Sequence, residues 1–96
     1  WFLSELGLVD LPDELFDVPI SGDLALFDNA IRSLPAAVGR LKVGGHLFLW
    51  GNRLATLPSE IAQMEVGGTL WLHDNPGLDE DAARALLSDA PIDVYY

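Results

Sequence analysis

Leucines alternate along this chain with a two-residue step, and the alternation itself recurs every 23 residues. Leu24, Leu47 and Leu70 form one column at that spacing, Leu26, Leu49 and Leu72 a second, and Asn29, Asn52 and Asn75 a third. The lattice continues through Leu8, Ile31 and Leu54; Leu11, Leu34 and Leu57; Pro12, Pro35 and Pro58; Leu15, Val38 and Ile61; Val18, Leu41 and Met64; Ile20, Val43 and Val66; and Gly22, Gly45 and Gly68. A fixed period of this length means stacked units, each too small to bury its own apolar face. Counting back one period puts Trp1 and Leu3 in the leucine columns and Leu6 in the asparagine column, so the first unit is degenerate.

The pattern predicts elements as well as units. L-x-L is the signature of a short strand with one buried face, and stacking such strands in parallel buries a column of leucines. Each asparagine then follows its strand at a bend, where a side-chain amide satisfies backbone groups left unpaired. Leu-Pro followed by polar residues predicts a short helical or 3₁₀ turn on the opposite side. Gly44-Gly45 and Gly67-Gly68 are read as turns that let the chain bend into the next strand. They are not read as phosphate loops, because neither is followed by Lys-Ser or Lys-Thr. After Asn75 the pattern breaks: Asp79, Glu80 and Asp81 suit a helix start, and Ala82, Ala83, Leu86 and Leu87 form its apolar stripe. The alternation Ile92-Asp93-Val94-Tyr95 predicts a last strand, so 79–96 is expected to cap the core.

These residues resemble the leucine-rich-repeat family. The likeness covers essentially the whole chain, and Leu41–Leu54 and Met64–Asn75 look like a bacterial variant in which Val-Gly-Gly precedes the strand. The resemblance implies an α/β right-handed solenoid, a horseshoe arc with a short parallel sheet on its concave face and short helical turns on its convex face. One domain would span 1–96, with units at about 1–23, 24–46, 47–69 and 70–78 and the C-terminal capping helix beyond. One departure stands out: the family's usual apolar position three residues before the strand leucine is Ser21, Gly44 and Gly67, and the apolar residue moves one place earlier. By analogy alone, similar bacterial repeats occur in secreted effectors, where they select a target and a separate domain reacts. A plain intracellular scaffold fits the same residues.

Composition narrows the partner. Fifteen acidic against five basic residues give a net charge of −10, which disfavours nucleic acid and anionic membranes and favours basic partners. The acids concentrate at the two ends, where 1–28 carries seven acids and no base and 66–96 carries six acids and one base. No apolar run is long enough for a membrane helix. With no cysteine, disulfides and thiolate metal sites are excluded, which leaves the compartment open between cytoplasm and secretion. The start at Trp1 without methionine, with an apolar edge at Trp1, Phe2 and Leu3, points to upstream residues or a contact there.

In x-L-x-L-x the leucines point inward and the x positions form the outward face of the strands. They are Asp23, Ala25 and Phe27; His46, Phe48 and Trp50; and Thr69, Trp71 and His73, with Phe2 and Ser4 continuing on one side and Asp93 and Tyr95 on the other. Two rows result, Phe2-Ala25-Phe48-Trp71 and Ser4-Phe27-Trp50-His73, in which five of eight positions are Phe or Trp. Aromatic patches with a polar rim are typical of protein contacts. The expected function is therefore to hold a protein or peptide with basic and apolar groups on Asp23, Phe27, His46, Phe48, Trp50, Trp71, His73 and Tyr95. A second copy of the chain, or the upstream part of the same protein, could occupy the same face. The alternatives are a glycan stacked on the rings and aromatics that only stabilise the sheet. Asn29, Asn52 and Asn75 are assigned a structural role. No catalytic residue, metal or cofactor is expected: His73 and Asp74 are adjacent but predicted to point apart, and His46 and His73 sit at opposite strand ends, too far apart to share zinc. Both histidines are read as solvent-facing rim residues.

Overall fold

Leu24 pairs with Leu47, and Leu47 with Leu70, so residues 23 apart lie side by side in parallel strands. In this computed structural model, which describes residues 3–96, the chain is a small α/β fold with parallel strands in two sheets and one α-helix. Trp1 and Phe2, whose columns were predicted above, lie outside the described residues. The larger sheet runs in the order β1 (Leu24–Ala25), β3 (Leu47–Phe48), β5 (Thr69–Trp71), β6 (Asp93–Tyr95). Leu3 extends the ladder beside β1, its N–H donating to the Ala25 carbonyl at 2.8 Å.

The strand leucines are almost completely buried, as are Ile31 and Leu54 after the bends and Val38 and Ile61 on the opposite side, and all join one apolar cluster. Three 3₁₀ turns, Asp13–Asp17, Ala36–Arg40 and Ser59–Gln63, stand behind the Leu-Pro steps. Each proline, at φ near −70°, leads into the turn, and its carbonyl accepts the first turn bond, as from Val38 N–H to Pro35 at 3.0 Å. Proline needs no partner for the N–H it lacks, so it suits a turn entrance.

The second sheet was not predicted. β2 (Lys42–Val43) pairs in parallel with β4 (Glu65–Val66), and Ile20 bridges to Val43. The apolar column Ile20, Val43 and Val66 thus lines a second sheet strand by strand, which explains why the apolar position lies one place earlier than in the resembled pattern. The glycine pairs also have a different reason from the one expected. None of the four has a left-handed backbone; instead, a Cβ on Gly44 would collide with the Ser21 carbonyl oxygen, and one on Gly67 with the Gly44 carbonyl oxygen. Ser21 is tolerated in that column because it is the lower member of the stack. Left-handed positions recur elsewhere, at Glu5, Asp28, Gly51 and Asp74, again 23 apart and directly before the asparagine column at its last three members, with Gly7 a further one outside that column.

Asn52 shows what that column does. Its Nδ2 donates to the Leu26 and Leu49 carbonyls at 3.0 and 2.9 Å, and its Oδ1 accepts from the Ile31 N–H at 3.3 Å. Asn75 repeats the arrangement with Leu49, Leu72 and Leu54, and Asn29 does so with Leu3 and Leu26, accepting from Leu6 and Leu8. Each amide therefore joins its own strand end to the preceding unit.

The helix α1 (Glu80–Leu87) starts where its acids predict, with Asp79 Oδ1 accepting from the Ala82 N–H at 3.1 Å. Its buried stripe is Ala83 and Leu87 with Leu86 half-buried; Ala82, predicted in the stripe, is exposed, because the 3.6-residue turn puts residues 83 and 87 on the core side. Arg84 lies 4.2 Å over the Tyr96 ring. Burial raises the Tyr96 hydroxyl above the usual tyrosine range, and the Arg84 charge partly offsets the shift. Among the described residues no helix is long and apolar enough to cross a membrane.

Two substitutions test the stacking. Asn52→Ala, which strands buried carbonyls and an amide, should cost about 1–3 kcal/mol in chemical denaturation. Gly67→Ala should cost about 1–3 kcal/mol by forcing two backbones apart, whereas Gly22→Ala, with nothing within 4 Å of its added Cβ, should stay near wild type.

Candidate functional site

Every second residue of the larger sheet faces away from the core, and parallel in-register pairing places like positions beside one another. The result is a connected set of rings. Phe27 stacks on Trp50 with centroids 4.6 Å apart, and Trp50 stacks on His73 at 5.4 Å and 15°. In the neighbouring row Phe48 lies 6.0 Å from Trp71, and Trp71 4.9 Å from Tyr95. Phe27 meets Phe48 edge-on at 6.3 Å, and His73 meets Tyr95 edge-on at 5.1 Å, so the rows are joined at both ends. Such pairs contribute about 0.5–1.5 kcal/mol each beyond burial. The rings are nonetheless only half-buried, and Tyr95 is 53% exposed.

Tyr95 reaches its row through a change of register. β6 pairs Thr69 with Asp93, Leu70 with Val94 and Trp71 with Tyr95, an offset of 24 rather than 23. A one-residue slip would exchange the two faces; at this offset Val94 points inward and Asp93 and Tyr95 join the outer face. Of the other predicted positions, Ala25 is buried at 2% beside Phe48 in its row, Ser4 is half-buried with its hydroxyl unpaired among the described residues, and Phe2 lies outside the described residues.

His46 is not a plain rim residue. Its Nδ1 accepts from the Thr69 N–H at 2.9 Å, while its own N–H donates to Asp23 Oδ1 at 2.7 Å. Asp23, His46 and Thr69 occupy one column, so side chains there tie each strand entry to the next. A Cβ on Gly45 would collide with Asp23, and one on Gly68 with His46 at 2.7 Å, so both glycines make room for these side chains. An accepting Nδ1 puts the ring proton on Nε2. The sequence signal was available in retrospect: an acceptor-bearing side chain at positions 23 and 46, each followed one period later by glycine one residue upstream of the same column.

His73 also differs from expectation. Asp74 has a left-handed backbone, φ 56°, which brings its carboxylate to 4.0 Å from His73 Nε2 instead of directing it away. That distance is an electrostatic contact and not a hydrogen bond. His73 Nδ1 and the neighbouring Trp71 Nε1 are buried without a hydrogen-bond partner among the described residues.

The charge on this face has one sign. Asp23 and Asp93 lie on its outer column, Asp28 and Asp74 border it beyond the strand ends, and no Lys or Arg occupies a face position. Of the chain's bases, Arg40 pairs with Asp17 at 2.8 Å, and Arg84 lies near Glu80 at 3.9 Å, both away from the rings. The groove beside Asp74 to Asp81 is lined by Asp74, Asp79, Glu80 and Asp81, but among the described residues no three groups converge as metal ligands.

No protein-family model matches the chain, and no curated protein matches it.

His46→Ala should lose about 1 kcal/mol of stability with its acceptor for Thr69. His46→Asn, whose Oδ1 can accept in the same place, should recover most of it in thermal or urea melts.

Proposed function

We propose that this chain is a leucine-rich-repeat solenoid that binds a partner protein or peptide on the aromatic, acid-bordered face of its larger sheet, without performing a reaction there. The observation that carries this reading is the ring set itself. Phe27, Phe48, Trp50, Trp71, His73 and Tyr95 touch one another on the outer side of the sheet, and each keeps part of its surface exposed. A sheet face that only needed solubility would alternate to polar residues. Half-buried aromatics bordered by carboxylates are instead the usual make-up of a contact centre and its rim. The 23-residue register of L-x-L strands, 3₁₀ turns and asparagine bonds supports the solenoid part of the reading.

Trp50→Ala combined with Trp71→Ala tests it. Crosslinking pull-down with the chain as bait should lose its specific partner with this variant, the circular dichroism should stay folded with a melt only a few degrees lower, and a glycan array should be blank. Capture that survives the double substitution, or a glycan signal that disappears with it, would overturn the reading.

A further inference from the structure

Tyr95 and Tyr96 are neighbours on one strand end and point to opposite sides, as successive strand residues do. Tyr96, on the helix side, has the Arg84 guanidinium 4.2 Å over its ring. Tyr95, on the open face, is 53% exposed, and among the described residues its ring contacts are Trp71 and His73. Asp93 stands two residues earlier on the same side of β6, about 7 Å away by strand rise. It is exposed, and its carboxylate has no hydrogen bond or ion pair among the described residues, while its backbone pairs with Thr69 in the ladder. An electron-rich ring pair and an unpaired carboxylate are therefore presented together, on a face with no cation of its own in a chain of net charge −10.

We propose that Tyr95, Trp71 and Asp93 form a subsite for an arginine side chain of the bound protein, a specificity that rests on the reading of this face as a partner-binding surface. Charge complementarity selects a cation, and the ring geometry selects its type. A planar guanidinium lies flat on Tyr95 while its N–H fork reaches Asp93, whereas an ammonium satisfies only one of the two at a time. The apolar residues flanking that arginine then rest on Phe48 and Trp50. Asp74, with its side chain 74% exposed beyond His73 at the other strand end, adds a second negative charge to the border of the face and favours the approach of a basic segment.

Panning random linear peptides displayed on phage against the chain tests this. Peptides that need Trp50 and Trp71 should be enriched in arginine, and a synthetic peptide from the selection should weaken about tenfold when its arginine is replaced by citrulline, which keeps the shape and removes the charge. Asp93→Asn should weaken the arginine peptide about fivefold and leave the citrulline peptide unchanged, and Tyr95→Leu should act in the same selective way. Peptides that need Trp50 and Trp71 but show no arginine enrichment, or arginine peptides indifferent to Asp93→Asn, would overturn the subsite and leave the binding face standing. If no selected peptide depends on Trp50 and Trp71, the binding face falls and the subsite with it.

Discussion

Asn52 lies between carbonyls of two successive strands and the amide of the preceding unit, at a depth where no water competes for them. Leu26, Leu49 and Ile31 could not leave these backbone groups unpaired without a cost of about 1–3 kcal/mol per group. A parallel stack bends sharply after each strand, and the bend necessarily interrupts the ladder. The asparagine restores the lost bonds with a side chain of the right length and with both a donor and an acceptor. Because it reaches from one unit to the one before, it also locks the register at 23 residues. The rest of the molecule depends on that lock.

Once the register is set, every column has to tolerate direct superposition. At the second sheet this excludes side chains at Gly44 and Gly67, where carbonyl oxygens of the unit below fill the space a Cβ would take. At the strand entry it turns Asp23 and His46 into acceptors for the next amide, with Gly45 and Gly68 as the clearance they need. Where the bend begins, a left-handed backbone recurs at Asp28, Gly51 and Asp74. Superposition acts on the outer face as well: rings at equivalent positions come within stacking distance without any further design, and the same geometry that builds the core assembles the aromatic surface.

The C-terminal segment closes the stack by different means. Helix α1 replaces a 3₁₀ turn, covers the end of the core with Ala83 and Leu87, and returns the chain to the sheet one residue later than the period would. That extra residue preserves the alternation of faces while putting Asp93 and Tyr95 where β5 needs outward neighbours. Asp93 and Asp74 at this end then join Asp23 and Asp28 around the rings, and with no Lys or Arg at a face position the face keeps a single sign of charge.

Much of this was legible from the sequence. Periodicity alone determined the inward leucines, the strands they define, the turns behind Leu-Pro and the bonding role of Asn29, Asn52 and Asn75, because each follows from local chemistry repeated at a constant interval; the helix opening at Asp79 was legible from its acid triplet, where the repeat breaks. Tertiary structure decided what depends on contact between units: the second sheet along Ile20, Val43 and Val66, the steric need for Gly44 and Gly67, the acceptor role of His46, the approach of Asp74 to His73, and the 24-residue step into β6. Those features are set by the few ångströms between stacked backbones and by the sign of φ at one residue per unit. A linear pattern of apolar and polar positions records which residues face inward, but not how closely the next layer lies above them.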